Sequence, residues 1–147
     1  MVYVDTSVWV ALLCPEIHSE SVASWFGSES RPLVSADWTS VEFESALALM
    51  KRTGRLPVDR EKEVREAFGR IDQGLRPWVP VTRASLRLAS ELVSRWEVGL
   101  RSGDAVHVAV AQELGVLDFA TVDRAQTRAA AAQGMRLVFP DVAGDHG

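Results

Sequence analysis

The start of the chain constrains the fold most, because a short apolar run there stops abruptly at polar side chains. Residues 2–4 read Val-Tyr-Val, residues 5–7 read Asp-Thr-Ser, and a helical pattern begins directly afterwards. If the run is a strand of a parallel α/β sheet, its carboxyl end lies where such sheets bind their ligands. Asp5 is therefore the first candidate for a functional residue.

Apolar runs and helical segments alternate along the rest of the chain. Strands are predicted at 2–5, 32–35, 78–81, 116–122 and 135–139, the 78–81 segment as a short strand or sheet edge. Helices are predicted at 6–13, 19–27, 58–72, 82–96, 102–114 and 124–133, and a long one begins at Asp37 or Thr39 and ends at Met50. Strands separated by helical crossovers favour an α/β fold with a mostly parallel sheet covered on both faces.

The length of 147 residues, of which 47% are hydrophobic and 24% charged, predicts one globular domain at 1–139. Residues 140–147 have little to bury and are predicted to be a flexible C-terminal tail. No basic segment precedes an apolar stretch, and no apolar run approaches the ~18 residues of a membrane span, so we expect a soluble, cytoplasmic protein without a membrane partner. The single cysteine, Cys14, is expected to be a small buried apolar residue.

The net charge of −4 argues against a general electrostatic grip on nucleic acid. It does not exclude nucleic-acid chemistry, because carboxylates that hold a cation are neutralised in the working protein. Basic side chains are concentrated at Lys51, Arg52, Arg55, Arg60, Lys62 and Arg65. This segment is either a solvated helical surface or a surface that follows phosphates, and composition does not decide between them.

Acidic residues follow the predicted strands or begin the helices after them: Asp5, Asp104 and Asp123, with Glu42 or Glu44 on the long helix. Each aspartate alone is explained by helix capping or the helix dipole. Periodicity does not choose between the two glutamates. Taken together, however, acids at the carboxyl ends of neighbouring strands would share one pocket. Their repulsion and all-oxygen chemistry favour Mg²⁺ or Mn²⁺ over zinc.

Four segments carry these acids in motif-like surroundings: Val-Tyr-Val-Asp-Thr-Ser at 2–7, Ser-Val-Glu-Phe-Glu-Ser-Ala-Leu at 40–47, Ser-Gly-Asp-Ala-Val-His-Val-Ala at 102–109 and Ala-Thr-Val-Asp at 120–123. In this order they resemble the motifs of PIN-domain ribonucleases, and within that group the VapC-type toxins of toxin–antitoxin pairs. The resemblance implies a three-layer α/β/α sandwich. It also implies that metal binding and catalysis belong to Asp5, Glu42, Asp104 and Asp123, which selects Glu42 over Glu44.

The implied reaction is hydrolysis of RNA by a water that one or two Mg²⁺ or Mn²⁺ ions activate. The hydroxyls of Thr6, Ser7 and Thr121 are candidates to orient a carboxylate or water, with helix capping or strand-end hydrogen bonding as the alternative. The resemblance further implies a homodimer and a cognate antitoxin that occupies a groove near the site. Because Arg52 and Arg55 follow the predicted helix that carries Glu42, we hypothesise that both contact phosphate.

Other side chains have ordinary structural explanations. His107 lies three residues after Asp104 on an apolar helix and is expected to pack in the core or to support a ligand from behind. Trp9, Trp25 and Trp38 are expected in the core, whereas Trp78 and Trp96 are less constrained and could stack on a base.

Two alternative functions are compatible with this architecture. One is a PIN-like scaffold that binds nucleic acid without cutting it, which the presence of all four acids disfavours. The other is a signalling module phosphorylated on an aspartate. Such a module needs a second acid at the end of the first strand and a lysine after a late strand, whereas Thr6 follows Asp5 and the only lysines are Lys51 and Lys62.

Overall fold

A computed structural model of the chain describes residues 1–74, 78–95 and 99–143. In chain order the elements are β1 (Val2–Val4), α1 (Thr6–Leu13), α2 (Ser19–Ser28), β2 (Leu33–Ala36), α3 (Trp38–Arg52), α4 (Val58–Gly74), β3 (Trp78–Val79), α5 (Arg83–Ser94), α6 (Ser102–Glu113), β4 (Asp118–Ala120), α7 (Arg124–Ala132), β5 (Arg136–Leu137) and a 3₁₀ helix at Pro140–Ala143.

The five strands form one parallel sheet in the order β3-β2-β1-β4-β5. The chain adds β2 and β3 on one side of β1 and then returns to add β4 on the other side. The strand order therefore reverses between β1 and β4, which is where parallel sheets open a crevice at their carboxyl ends. This crevice is the place at which the first candidate acid, Asp5, leaves β1.

Two hydrophobic cores cover the two faces of the sheet. Val2 and Val4 of β1 belong to the core beneath α1–α4, and Tyr3 belongs to the core beneath α5–α7. All three side chains are fully buried because β1 is the middle strand and has helices above and below it. The α/β/α sandwich with a mostly parallel sheet, predicted from the sequence, is confirmed.

The structure differs most from the predicted strand lengths at the last three strands, of which the predicted 78–81 segment forms a strand only at Trp78–Val79. The predicted strand 116–122 is paired only over Asp118–Ala120, because Val116 still closes the end of α6 by donating to the Ala111 carbonyl. The predicted strand 135–139 is reduced to Arg136–Leu137, since Met135 in the same way donates to the Ala130 carbonyl at the end of α7. Both closures follow a glycine with positive φ.

The segment predicted as a flexible tail begins with the 3₁₀ helix at Pro140–Ala143. Its Val142 side chain is buried, and the turn packs against α7. This part of the predicted tail is therefore folded, and 144–147 lie outside the described residues. None of the helices in the described ranges is long and apolar enough to cross a membrane.

The tryptophans that the structure describes serve packing. Trp9 is buried, and Trp25 and Trp38 are partly buried against the two cores. Trp78 also belongs to the core, where its ring contacts Trp9 and Phe68. It is therefore not an exposed stacking platform, and Trp96 lies outside the described residues. Cys14 is buried and free, as expected.

Candidate active site

A cavity of about 610 Å³ opens at the carboxyl ends of β1 and β4. Asp5 follows β1 directly, Asp123 precedes α7 after β4, Asp104 lies in the first turn of α6, and Glu42 projects from α3. All four side chains line this one cavity. The fold thus brings to one place carboxylates that are up to 118 positions apart in the chain.

Asp5 is almost completely buried and fully hydrogen-bonded. Ser7 donates to Oδ1 at 2.6 Å, Thr121 donates to Oδ2 at 2.5 Å, and the Val8 amide donates to Oδ1 as part of the N-cap of α1. Burial raises the pKa of Asp5 to about 6, although His107 and these donors oppose the rise. The site therefore holds Asp5 in place but makes its negative charge costly.

Glu42 is held from two sides. Its Oε2 lies 2.6 Å from Nε2 of His107 and accepts a hydrogen bond of 2.6 Å from Thr6. Its Oε1 lies against Gly103, where a Cβ atom would come within 2.4 Å of it. Burial alone would raise the pKa of Glu42, but His107 and Thr6 outweigh it and lower the pKa. The nearby Trp38 indole contributes to the lowering without forming a well-aligned hydrogen bond.

The other two acids are less enclosed. Asp104 is half-buried, and burial together with repulsion from Asp123 and Glu42 raises its pKa. Asp123 is exposed and caps α7 by accepting a hydrogen bond from the Gln126 amide. The effect of Asp123 and Glu42 on the pKa of Asp104 indicates that the charges of these acids interact across the cavity.

The structure separates the two glutamates that periodicity could not separate. Glu42 lines the cavity, whereas Glu44 is exposed and pairs with Arg65 on α4. The reason is the helical turn: two positions along α3 rotate the side chain from the cavity to the face that meets α4.

The three predicted hydroxyls all contact the acids. Thr6 donates to Glu42, and Ser7 and Thr121 donate to Asp5. Ser7 and Thr121 also accept hydrogen bonds from the Val122 and Asp123 amides. Ser7 and Thr121 therefore have both of the roles predicted as alternatives, since they orient a carboxylate and also form hydrogen bonds at the end of a strand.

The sequence identifies two of the residues that hold Glu42, since Thr6 is predicted to orient a carboxylate and His107 to pack in the core or to support a ligand. It does not identify Tyr3 and Gly103, nor Glu42 as the partner of His107. The available signal was a polar ring within the apolar stretch 105–111 and a glycine directly before Asp104. Neither signal says which partner the residue meets, because the partners are distant in the chain.

The central basic segment is largely neutralised by its own acids. Lys51 and Arg65 pair with Glu61, Arg60 pairs with Glu63, and Lys62 with Glu66. These pairs favour the solvated helical surface over a phosphate-binding one. Arg55 differs, since it lines the cavity while it pairs with Glu16, and Arg52 is exposed at the end of α3.

The donor set fits a hard divalent cation, because it consists of carboxylate oxygens around one cavity with unfavourable mutual repulsion. In residues 1–74, 78–95 and 99–143, however, no three His, Cys, Asp or Glu side chains form a ready-made coordination shell. A cation would have to draw carboxylates inward. Asp104 and Asp123 are the side chains with the freedom to do so, because Asp5 and Glu42 are anchored by hydrogen bonds.

The family model of the PIN domain matches residues 2–132. The chain belongs to the PIN domain family. The resemblance to this family inferred from the four sequence segments is thereby confirmed. No curated protein matches the sequence at a significant level.

Solved structures share the PIN fold with this chain at low sequence identity. VapC20 from Mycobacterium tuberculosis, described as a sarcin–ricin loop cleaving toxin, is 20% identical, with a TM-score of 0.65 over 81% of this chain and 87% of that chain. FitAcB from Neisseria gonorrhoeae is 19% identical, with a TM-score of 0.66 over 95% and 98%. PAE2754 from Pyrobaculum aerophilum is 20% identical, with a TM-score of 0.62 over 97% and 87%. These likenesses support the fold of this PIN domain.

Proposed function

We propose that the protein is a metal-dependent endoribonuclease toxin that hydrolyses RNA at the cavity lined by Asp5, Glu42, Asp104 and Asp123. The observation that carries this proposal is the meeting of four carboxylates from separate segments in one cavity of a PIN domain. Helix capping explains single acids but does not require them to meet. Burial, together with repulsion from Asp123 and Glu42, raises the pKa of Asp104, and a divalent cation stabilises an acidic cluster of this kind.

Within this proposal the four acids would hold Mg²⁺ or Mn²⁺, which when bound supplies Lewis-acid activation of water and neutralises charge on a phosphodiester. Asp5 and Glu42 serve as the fixed ligands, since five hydrogen-bond donors hold their oxygens. Asp104 and Asp123 serve as the adaptable ligands. Ser7 and Thr121 keep both oxygens of Asp5 in place, and Thr6 holds Oε2 of Glu42.

The toxin assignment draws on the proteins that share the fold. VapC20 is described as a toxin that cleaves the sarcin–ricin loop, and FitAB has been solved bound to a DNA fragment. We extend the class to this chain, as an RNA-cleaving partner of an antitoxin, and leave the particular RNA to experiment. Expression of the chain alone should then arrest growth of a host cell, and expression of Glu42→Gln should not.

An apolar wall beside the acids supports an inhibitory protein partner. Val10, Ala46 and Met50 line the cavity together with Ile17 and Leu49, which are 87% and 46% exposed. Exposed apolar surface next to a charged site is typical of a surface that a partner covers. We infer that the antitoxin places an apolar segment on this wall and a basic side chain toward the acids. A protein that relieves the growth arrest should lose this effect against Leu49→Asp.

A second copy of the chain is the other partner in this proposal. The helix α5 exposes Leu86 and Val93, which are seven positions apart and so lie on one side of the helix. A homodimer would cover such a side. Light scattering of the purified protein should give twice the monomer mass. The Leu86→Glu variant should give a lower mass, closer to that of the monomer.

For the substrate, Arg55 is the better placed of the two arginines singled out in the sequence, because it lines the cavity. We propose that it exchanges its partner Glu16 for an RNA phosphate, with Arg52 contacting the strand further along. Replacement of both by alanine should weaken RNA binding and reduce its dependence on salt. The matched control is Arg60→Ala with Lys62→Ala on α4, which should change neither.

The decisive experiment is cleavage of total cellular RNA by the purified chain with Mn²⁺, Mg²⁺ or EDTA. Glu42→Gln should abolish cleavage, and Glu44→Gln should not, although the same chemical change is made on the same helix. Cleavage that persists in EDTA would contradict the metal mechanism. Binding of RNA without cleavage under all conditions would favour the noncatalytic scaffold.

A further inference from the structure

A chain of buried hydrogen bonds runs from the middle of the sheet to Glu42. The Tyr3 hydroxyl lies 2.8 Å from Nδ1 of His107, and Nε2 of the same ring lies 2.6 Å from Glu42 Oε2. Tyr3 and His107 are 0% and 1% exposed, so neither side chain reaches the cavity that the acids line. His107 makes the contacts with groups that line the cavity, namely Glu42 and, at 3.1 Å, the Thr6 hydroxyl.

The partners define the direction of these hydrogen bonds. Glu42 Oε2 is a carboxylate oxygen and can only accept, so Nε2 of His107 carries a proton and donates it to Glu42. In that tautomer Nδ1 accepts from the Tyr3 hydroxyl, whose oxygen in turn accepts from the Ala36 amide at 3.3 Å. Thr6 donates to the same carboxylate oxygen. Oε2 is thus engaged twice, which leaves Oε1, beside Gly103, for another ligand.

Packing alone does not account for these polar groups. The Tyr3 ring stacks on Phe119 with ring centroids 5.2 Å apart, and a phenylalanine ring would do the same. His107 lies among buried apolar neighbours on α6, where an aliphatic side chain would avoid the cost of burying a polar ring. The hydroxyl and the imidazole are instead explained by the hydrogen bonds through which they orient Glu42.

We propose that Tyr3 and His107 are positioning residues that fix the Glu42 carboxylate for cation binding. This inference rests on the proposed function and adds to it the residues behind the ligand. A ring that orients a ligand in this manner strengthens metal binding, and loss of such support commonly weakens it by about 10–100-fold. Because neither Tyr3 nor His107 lines the cavity, both should influence the cation site and leave RNA binding alone.

The test is the Mn²⁺ dissociation constant of Tyr3→Phe, measured by calorimetry on the whole chain. This change removes one hydroxyl and keeps the stacked ring. We expect Mn²⁺ binding to weaken by about 10-fold, with kcat for RNA cleavage reduced at a fixed Mn²⁺ concentration and KM for RNA unchanged. His107→Gln, which keeps a donor toward Glu42, should bind Mn²⁺ better than His107→Leu.

The matched control is Thr39→Val. The Thr39 hydroxyl is buried three positions before Glu42 on α3 and has no hydrogen-bond partner in the described part of the chain, so its removal should leave Mn²⁺ binding unchanged. Equal Mn²⁺ binding by Tyr3→Phe and the unsubstituted chain would overturn the positioning role and leave the nuclease proposal intact. Failure of the unsubstituted chain both to bind Mn²⁺ and to cleave RNA would overturn the proposed function itself.

Discussion

At the scale of single residues, Asp5 combines complete hydrogen bonding with an unfavourable charge. Its pKa is raised from 3.8 to about 6, with burial as the main cause. Because the folded protein then binds this proton more tightly than the unfolded chain, the contribution to stability is complete below pH 3.8 and is lost as the pH rises through about 6. Without a cation, the ionised Asp5 destabilises the fold at neutral pH.

We therefore predict that Asp5→Asn stabilises the metal-free protein while it abolishes cleavage. The rise in the pKa of Asp5 from 3.8 to about 6 corresponds to an upper limit of about 3 kcal/mol at pH 8, and the gain should shrink toward pH 4. Urea unfolding in EDTA at both pH values measures it. Asp118→Asn is the control, and it should instead destabilise the protein. The reason is that Arg136 lowers the pKa of Asp118 in the folded state, so its negative charge is stabilising. A loss of stability in Asp5→Asn at pH 8 would show that the buried charge is not costly.

Gly103 supports a second prediction at this scale. A Cβ atom there would lie 2.4 Å from Glu42 Oε1, which is the end of a flexible side chain, so Gly103→Ala should displace Glu42 and leave the backbone alone. We expect stability to change little and cleavage to fall by about 10²-fold.

Gly69→Ala is the matched control for this substitution. Gly69 lies in α4, and no atom of the described residues lies within 4 Å of the Cβ atom that the substitution adds. The change should stabilise the protein by roughly 0.5–1 kcal/mol without affecting cleavage. Cleavage by Gly103→Ala at the rate of the unsubstituted chain would mean that the position of Glu42 is not critical.

The residues that could be foreseen from the sequence are those whose role follows from their place on a single element. Asp5 and Asp123 follow strands, so topology alone brings them to one edge of the sheet. The support of Glu42 could not be foreseen in this way. The contact between Tyr3 and His107 joins residues 104 positions apart, and their meeting depends on how α6 packs over β1. Local patterns carry no information about that packing.

At the scale of elements, the helices were foreseen more closely than the strands. A helix such as α1 is specified by its own periodicity and by the Asp5 cap, and its bounds at Thr6–Leu13 are those predicted. A parallel strand is specified by its neighbours, so β4 pairs only where β1 and β5 lie beside it. The apolar residues on either side of β4 lengthen the apolar run in the sequence, but they do not pair with a neighbouring strand.

The start of α5 shows how two elements stabilise each other. Thr82 caps α5 by accepting a hydrogen bond from the Ser85 amide, and the Thr82 hydroxyl contacts Glu113 at the end of α6. We predict that Thr82→Ala lowers the free energy of unfolding by about 1 kcal/mol and leaves cleavage unchanged, since Thr82 is not among the residues that line the cavity.

Denaturant unfolding measures this loss, with Thr53→Ala as the control. The Thr53 hydroxyl donates to the Leu49 and Met50 carbonyls of its own helix, α3, so its removal should cost less. An equal loss in both variants would show that the contact between α5 and α6 contributes nothing beyond a single local hydrogen bond.

At the scale of the whole molecule, the sheet order makes the fold and the site interdependent. The reversal between β1 and β4 opens the crevice, and the two cores on either side hold α3 and α6 against it. These elements bring the acids together in a partly buried place, where burial and then repulsion from Asp123 and Glu42 raise the pKa of Asp104. The native arrangement therefore contains a local cost that a divalent cation would relieve.

From this cost we predict that Mn²⁺ raises the melting temperature above its value in EDTA. A ligand that binds only the folded state at about 100 times its dissociation constant stabilises it by about 2.7 kcal/mol. The increase should be larger at pH 8 than at pH 5, because the raised pKa values of Asp5 and Asp104 let protons compete with the cation at low pH.

Glu42→Gln should abolish most of the increase in melting temperature, and Glu44→Gln should retain it, since Glu44 pairs with Arg65 away from the cavity. Identical melting temperatures in Mn²⁺ and EDTA would instead mean that the acids meet without forming a cation site.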